Sequence, residues 1–268
     1  RVDFERASAA WYVDKNRLWK QAGVNEPRFT HDGKTGESLG LWHEGQATNN
    51  IPTHNSKIST YKQNDDGMVT GPDGVASSAR QMVIASDAGA GGSTIVQAND
   101  AWGVASGLTW SIFVKVTADD HIDFQLYDNN NNAKASRIRV YKNGGTPIEP
   151  TSSEGGQSGN TGTTSFEEYP DGWCRIKWEN FEKTSGANAT SYFQMYAHNH
   201  TNSDGSNVKY KFWGSQIETT RFCTSPILTD GAALTRSNEN VVVRVGHFDD
   251  IYNHNGASFY IDATNHSN

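Results

Sequence analysis

The stretch Trp110-Ser-Ile-Phe-Val-Lys-Val116 decides the fold, because a large apolar side chain occupies every second position. Alternate residues of a β-strand lie on opposite faces of the sheet, so this spacing places one apolar face against a core. The stretch therefore predicts a half-buried strand of an antiparallel sheet. We expect large rings to fill much of the core, namely Trp110, Trp178, Phe193 and Trp213.

Four more stretches show the same alternation, at residues 121–127, 173–178, 192–196 and 210–213. Loops rich in Gly, Asn and Ser separate them, and no stretch predicts a helix of convincing length. Short strands joined by turns favour two packed sheets. The predicted fold is mostly β, a jelly-roll β-sandwich with an N-terminal β-hairpin segment and a short C-terminal β extension.

The texture of the sequence divides the chain into four segments. Residues 1–50 are predicted to form small hairpins of an attachment segment, and residues 51–70 a polar connector. Residues 71–235 carry the strands of the jelly roll. Residues 236–268 are predicted to form a hairpin that opens another domain. Isolated hairpins are marginally stable at best, so those of the first segment must pack on a neighbour or on another chain.

The composition is that of a folded protein with long polar loops. Aromatic residues make up 11% of the 268 residues, whereas disordered chains are poor in them. The net charge of −7 and the lack of a basic stripe argue against nucleic acid as a partner. No run approaches the roughly 20 apolar residues of a membrane helix, so no membrane is expected as a partner. Cys174 and Cys223 are either two small buried hydrophobes or one bridge.

Three groups of motifs occur in order along the chain. They are Ala10-Trp-Tyr-Val-Asp-Lys-Asn-Arg-Leu18 with Asn25-Glu-Pro-Arg-Phe29, Thr35-Gly-Glu-Ser-Leu-Gly-Leu41, Glu44 and Thr48-Asn49; then Gly172-Trp-Cys-Arg-Ile176 with Phe212-Trp-Gly-Ser-Gln-Ile-Glu218; then Arg221-Phe-Cys-Thr-Ser-Pro-Ile227 with Gly231-Ala-Ala-Leu-Thr-Arg236. In this order they resemble bacteriophage structural proteins, often tail or head fibres, that carry a carbohydrate-binding-module-like jelly roll. The resemblance covers most of residues 5–245.

The resemblance implies a location in the virion and a structural, non-enzymatic role. It implies contact with host surface polysaccharide and with other virion proteins, and a homo-oligomer, with a trimer favoured. It also makes residues 71–235 a carbohydrate-binding-like domain and residues 236–268 the start of a further lectin-like domain.

A glycan site can be sought on the polar faces of the predicted strands. A sugar presents an apolar ring face edged by hydroxyls, so its site needs an aromatic platform beside amides, carboxylates or Arg. The predicted glycan-binding residues are Asp123, Gln125, Tyr127, Trp173, Arg175, Tyr192, Gln194 and Tyr196. The alternative is that these are ordinary outward residues or lie under a neighbouring subunit, in a purely architectural capsid decoration or joint protein.

No cofactor is expected, and the one ion that the sequence would suit is a structural calcium held by Asp119, Asp120 and Asp128. His198 and His200 have no third metal ligand nearby and are better explained by loop polarity. The chain is not expected to be an enzyme, because it has none of the common catalytic motifs.

A glycan depolymerase remains as a further alternative. It would need two carboxylates at a fixed separation across a cleft. The acidic residues that crowd one region of the sequence are Glu167, Glu168, Asp171, Glu179 and Glu182.

Overall fold

A computed structural model describes residues 2–55, 59–61, 63–84, 92–98, 107–116, 121–128, 135–141, 162–181, 191–197 and 209–243. The strands, numbered β1 to β19 in chain order, form two large sheets and four pairs. The only helical element within these ranges is a 3-10 turn at Pro170–Gly172.

The two large sheets are antiparallel throughout and make up the β-sandwich. The six-stranded sheet has the order β14 (Thr163–Glu168), β15 (Cys174–Phe181), β11 (Leu108–Val116), β17 (Lys209–Glu218), β9 (Ala79–Ile84) and β8 (Gln63–Val69). The five-stranded sheet has the order β13 (Ala135–Tyr141), β12 (His121–Asp128), β16 (Ser191–Ala197), β10 (Gly92–Ala98) and β7 (Ser59–Tyr61). The predicted fold class is confirmed.

The four remaining pairs lie near the two ends of the described chain. They are β1 (Val2–Glu5) with β19 (Asn240–Val243), β2 (Ala10–Val13) with β3 (Trp19–Ala22), β4 (Arg28–His31) with β5 (Ser38–Trp42), and β6 (Ala47–Asn49) with β18 (Leu234–Arg236). The pairs β2–β3 and β4–β5 are hairpins, as predicted for the first segment. Both turns use an Asp carboxylate, since Asp14 accepts from the backbone of Asn16 and Asp32 from that of Lys34.

The six-stranded sheet is buried on both faces. Its inner face carries the predicted alternation of β11, and Trp110, Ile112, Val114 and Val116 are all buried. Cys174, Ile176, Trp178, Phe212 and Ile217 continue that apolar layer on the neighbouring strands. The rings of Trp110, Trp178 and Trp213 are therefore interior, as predicted, while the side chain of Phe193 lies outside the described residues.

The outer face of this sheet is covered by the N-terminal hairpins. Trp19 of β3 is 1% exposed, and its ring centroid lies 5.5 Å from that of Phe113 on β11. Trp11 of β2 meets Trp213 of β17 edge-on at 5.6 Å. Edge-to-face packing at these distances adds to the stabilisation that area burial supplies. Residues 1–50 are thus a layer of the same molecule, held on the sandwich by aromatic rings.

Asn49 fastens this layer to β17 and the segment after it. Its amide nitrogen donates to the carbonyls of Ser215 and Ile227, at 3.1 and 2.8 Å. Its amide oxygen accepts from the backbone N–H groups of Ile51 and Ile217, at 3.0 and 3.1 Å. The side chain is fully buried with every hydrogen-bonding group used.

A buried ion cluster ties the first segment to the residues that follow β18. The carboxylate of Glu239 accepts from Arg28 on both oxygens, at 2.8 and 2.7 Å, and from Arg6 at 2.7 Å. Glu44 lies 2.9 Å from Arg28 and 3.1 Å from Arg236. Such a cluster tolerates burial because its charges are paired, and the Glu239 carboxylate accepts hydrogen bonds on both oxygens.

Two of the predicted segments look different in the structure. Residues 51–70, predicted as a connector, hold β7 and β8, which join the five-stranded and the six-stranded sheet respectively. The strand predicted to open a hairpin after residue 236 is β19, and it pairs with β1. The other half of that hairpin, residues 257–261, lies outside the described residues. Both cysteines are free, and Cys174 is buried.

Candidate functional site

The register of the five-stranded sheet brings six of the predicted site residues together. Three directly opposed pairs join β12 and β16: Asp123 with Tyr196, Gln125 with Gln194, and Tyr127 with Tyr192. Directly opposed residues of an antiparallel pair lie on the same face of a sheet, and alternate residues along a strand repeat that face. The six positions therefore share one face, in three rows about 7 Å apart along the strands.

We call this the polar face and define it by Asp123, Gln125, Tyr127, Tyr192, Gln194 and Tyr196. The positions that alternate with it on β12 and β16 are apolar, namely Ile122, Phe124, Leu126, Phe193 and Met195. Such an alternation indicates that the apolar positions line the interior of a sandwich and the polar positions its outside.

The register also adds positions that the sequence reasoning missed. Arg137 pairs with Gln125, Arg139 with Asp123, and Tyr141 with His121, all on the face that carries the polar pairs. The signal was present, because Arg137-Ile-Arg-Val-Tyr141 alternates and follows an Asn-rich loop. One row of the face crosses all five strands and consists of Arg139, Asp123, Tyr196, Ser93 and Tyr61.

The other two predicted residues, Trp173 and Arg175, belong to the other sheet and are buried. Trp173 is 3% exposed and Arg175 2%. Their prediction as exposed residues is wrong, because the N-terminal layer covers the outer face of the six-stranded sheet. A ring or a guanidinium in the interior of the chain cannot offer a platform to a polysaccharide.

Arg175 instead works as a packing element between that sheet and the N-terminal layer. Its guanidinium carbon lies 5.1 Å from the ring centroid of Phe113 and 5.9 Å from that of Trp19. One of its nitrogens donates to the hydroxyl of Ser111 and to the carbonyl of Thr224, at 3.0 and 2.7 Å. A cation between desolvated rings is held by their quadrupoles as well as by hydrogen bonds.

The acidic residues proposed for a depolymerase are dispersed among other partners. Glu167 forms an ion pair with Lys177, Glu168 lies 2.5 Å from Lys34, and Asp171 lies 2.6 Å from Lys115. Glu179 accepts from the backbone N–H of Cys223 at 2.6 Å. Glu182 lies outside the described residues. The four described carboxylates each have a cationic or backbone partner.

Buried ionisable groups elsewhere in the described sheets have structural partners too. Glu218 is fully buried, burial raises its pKa, and its carboxylate accepts from the hydroxyl of Thr224 at 2.6 Å. Burial raises the pKa of the Cys174 thiol to about 12, which keeps it protonated and inert.

Two further features bear on ligands. Within the described residues no group of His, Cys, Asp and Glu could hold a metal ion. Of the predicted calcium ligands, Asp119 and Asp120 lie outside the described residues, as do His198 and His200, and Asp128 ends β12. A cleft of about 610 Å³, with a mixed polar and apolar lining, opens beside β1 and β19, between residues that include Glu5, Asn25, Gln46 and Val24. No helix among the described residues has the length and hydropathy to cross a membrane.

Comparison with known proteins gives little further guidance. No protein-family model and no curated protein matches the sequence. Among solved structures, an exo-beta-agarase overlaps 66% of this chain with a TM-score of 0.40 and 11% sequence identity. The overlap covers 26% of the agarase, so this chain spans about a quarter of that protein's length.

Proposed function

We propose that the chain is a segment of a phage fibre or appendage whose β-sandwich contacts polysaccharide on the host surface through the polar face. The observation that supports this proposal most directly is the register of β12 and β16. It pairs two Tyr in one row and two Gln in the next. Rings with flanking amides supply both the stacking surface and the hydrogen bonds that a sugar needs.

The virion location rests on the motifs around the sandwich and on the logic of adhesion. Shallow sugar sites bind weakly one at a time, and many copies on one particle raise the avidity strongly. A homo-oligomer, with a trimer favoured, would multiply the sites further. Labelling of intact phage particles with antibodies to this chain, seen by electron microscopy, tests the location.

The glycan contact is tested by probing a glycan array with the full chain and with a Tyr127→Ala variant. We expect binding by the parent chain and a loss of up to roughly tenfold in the variant, because stacking on one ring is worth on the order of 0.5–1.5 kcal/mol. The matched control is Phe222→Ala, which removes an exposed ring far along the chain from the polar face. Binding unchanged by Tyr127→Ala would remove the polar face from the proposal.

The same array can address catalysis. We propose that the chain does not cleave glycans, so reducing ends should not accumulate on the bound polysaccharide over many hours. If reducing ends are released, and a Glu167→Gln or Glu179→Gln variant abolishes the release, the chain would be a glycan depolymerase instead.

A second candidate, a joint between virion proteins, is favoured by an apolar patch on the β4–β5 hairpin. Phe29 pairs with Leu41 in the register, and the exposed fractions of Phe29, Leu39 and Leu41 are 57%, 59% and 40%. Grouped exposed apolar side chains are typical of protein contacts. Sedimentation of the chain and of a Phe29→Ser, Leu41→Ser double variant tests it, with assembly lost in the variant if this patch is a joint.

A further inference from the structure

We propose that the polysaccharide bound by the polar face is acidic, and that Arg137 and Arg139 select its carboxylate or sulfate groups. This inference rests on the proposed function, since it names the class of glycan for the same face. It starts from the position of β13, which forms one edge of the five-stranded sheet and pairs only with β12 among the described strands.

The register places both Arg residues in the rows that carry the site. Arg137 begins the row that continues with Gln125 and Gln194, and Arg139 begins the row of Asp123 and Tyr196. Two residues apart on one strand, the two positions are about 7 Å from each other along the edge. A polysaccharide that crosses the Tyr and Gln positions would therefore reach two Arg positions at the border of the face.

The formal charge of the polar face is opposite in sign to the net charge of the whole chain. Among the Arg, Lys, Asp and Glu residues, the face on β12, β13 and β16 holds two Arg and one Asp, which is a formal excess of one positive charge. The whole chain has 23 Lys and Arg against 30 Asp and Glu, a net −7. A neutral polysaccharide gains nothing from this local excess of positive charge, whereas an acidic one does.

Arg is also the residue whose shape suits the ligand. Its planar guanidinium can donate two parallel hydrogen bonds to a carboxylate or to a sulfate, which a Lys cannot. In the register Arg139 is paired with an acidic residue, Asp123, whereas Arg137 is paired with a neutral one, Gln125. We therefore expect Arg137 to contribute more of the selectivity than Arg139.

The test uses two pairs of immobilised polysaccharides that differ within each pair only in charged groups. Polygalacturonate is compared with its fully methyl-esterified form for carboxylates, and dextran sulfate with dextran for sulfates. The full chain should bind an acidic member at least tenfold more tightly than its neutral partner at low salt. The ratio should fall at high salt, because salt screens exposed charges.

Variants then assign the selectivity to the residues. Arg137→Gln should lower the affinity for the acidic member roughly tenfold and that for the neutral member less than twofold, with a smaller effect for Arg139→Gln. Arg221→Gln, which removes the same charge at an exposed position outside this sheet, should leave the ratio unchanged. Circular dichroism confirms that each variant is folded.

The outcomes separate this inference from the proposed function. Equal binding of both members of each pair, or a ratio unaffected by both β13 variants, overturns the acidic selectivity and leaves glycan binding in place. Failure of the parent chain to bind any polysaccharide, on these surfaces or on an array, overturns both.

Discussion

The side chain of Asn49 connects three parts of the fold by hydrogen bonds. Its four hydrogen bonds join β6, β17 and the segment at Ile227, and no water reaches them. In Asn49→Asp the shape is kept, but the two donated bonds become contacts between a carboxylate and carbonyl oxygens. We expect a loss of about 3 kcal/mol or more in the free energy of unfolding, since each buried unsatisfied group costs roughly 1–3 kcal/mol.

Urea denaturation measures this loss as a lower midpoint at a constant slope. The control is Gln21→Glu at an exposed position of β3, which should change stability by about 0.5 kcal/mol or less. An Asn49→Asp midpoint within that range would contradict the role given to the four bonds.

His54 should make the folded state sensitive to mild acid. Its Nδ1 accepts from the backbone N–H of Gly214 at 3.3 Å, its ring meets that of Trp213 edge-on at 5.8 Å, and burial lowers its pKa to about 4. The unfolded chain binds a proton near pH 6.5, well before the folded chain does. Stability from the neutral ring is therefore full above pH 6.5 and declines by up to about 1.4 kcal/mol per pH unit between pH 6.5 and 4.

Thermal melts across this range check the effect. In His54→Asn, whose amide oxygen can accept the same hydrogen bond, the decline between pH 6.5 and 4 should be shallower. An identical slope in parent and variant would assign the acid sensitivity to other groups.

At the scale of the element, the alternation of apolar residues predicts well where strands form. It predicts poorly which strand faces are exposed to solvent. The apolar phase of β11 and the hairpins β2–β3 and β4–β5 follow from local spacing and turn chemistry. In β15 the same reasoning separates Cys174 and Ile176 from Arg175 correctly, yet it places Arg175 in solvent. Its cover comes from Trp19, more than 150 positions earlier in the chain, and no local pattern can contain that information.

Trp173 is consequently expected to matter for stability. Its side chain is 3% exposed within the cluster that joins the N-terminal layer to the six-stranded sheet. Trp173→Ala should cost roughly 3–5 kcal/mol of unfolding free energy, as is usual when a large buried ring is removed. Phe222→Ala, at an exposed ring, is the control and should cost far less.

The milder Trp173→Phe variant separates the two roles that could be given to this position. It keeps the ring packing in part, so the chain should stay folded and retain full glycan affinity. A large loss of affinity in folded Trp173→Phe would return this residue to the glycan site.

At the scale of the whole molecule, the buried ion cluster connects the residues next to the first and last described strands, β1 and β19. Burial opposes the ionisation of Glu239, but the hydrogen bonds and charges of Arg28 and Arg6 outweigh it and lower the pKa of this carboxyl. Its contribution to stability is therefore full above the ordinary Glu range near 4.5 and is lost as the pH falls below the lowered value. This window lies on the acid side of the His54 window.

Glu239→Gln leaves Arg28 and Arg6 buried with less compensation. We expect a loss of about 3–5 kcal/mol at pH 7, the usual result of removing one partner of a buried ion pair. The loss should be smaller at a pH below the lowered pKa of Glu239, where the parent carboxyl is protonated as well. Denaturation at both pH values measures it, with exposed Glu37→Gln as a control that should be nearly neutral.

The pairing of β1 with β19 has a mechanical consequence. The two strands are antiparallel, and the residue pair at their outer end along the chain is Val2 with Val243. A force applied to the residues before Val2 and after Val243 would act on this residue pair first. The pairs of β1 and β19 would then separate one after another, at low force. Strand separation would stop at Arg6 and Glu239, whose buried contact follows the last residue pair, Glu5 with Asn240. The chain can thus yield by a few residues under tension while the sandwich beyond that stop keeps its shape.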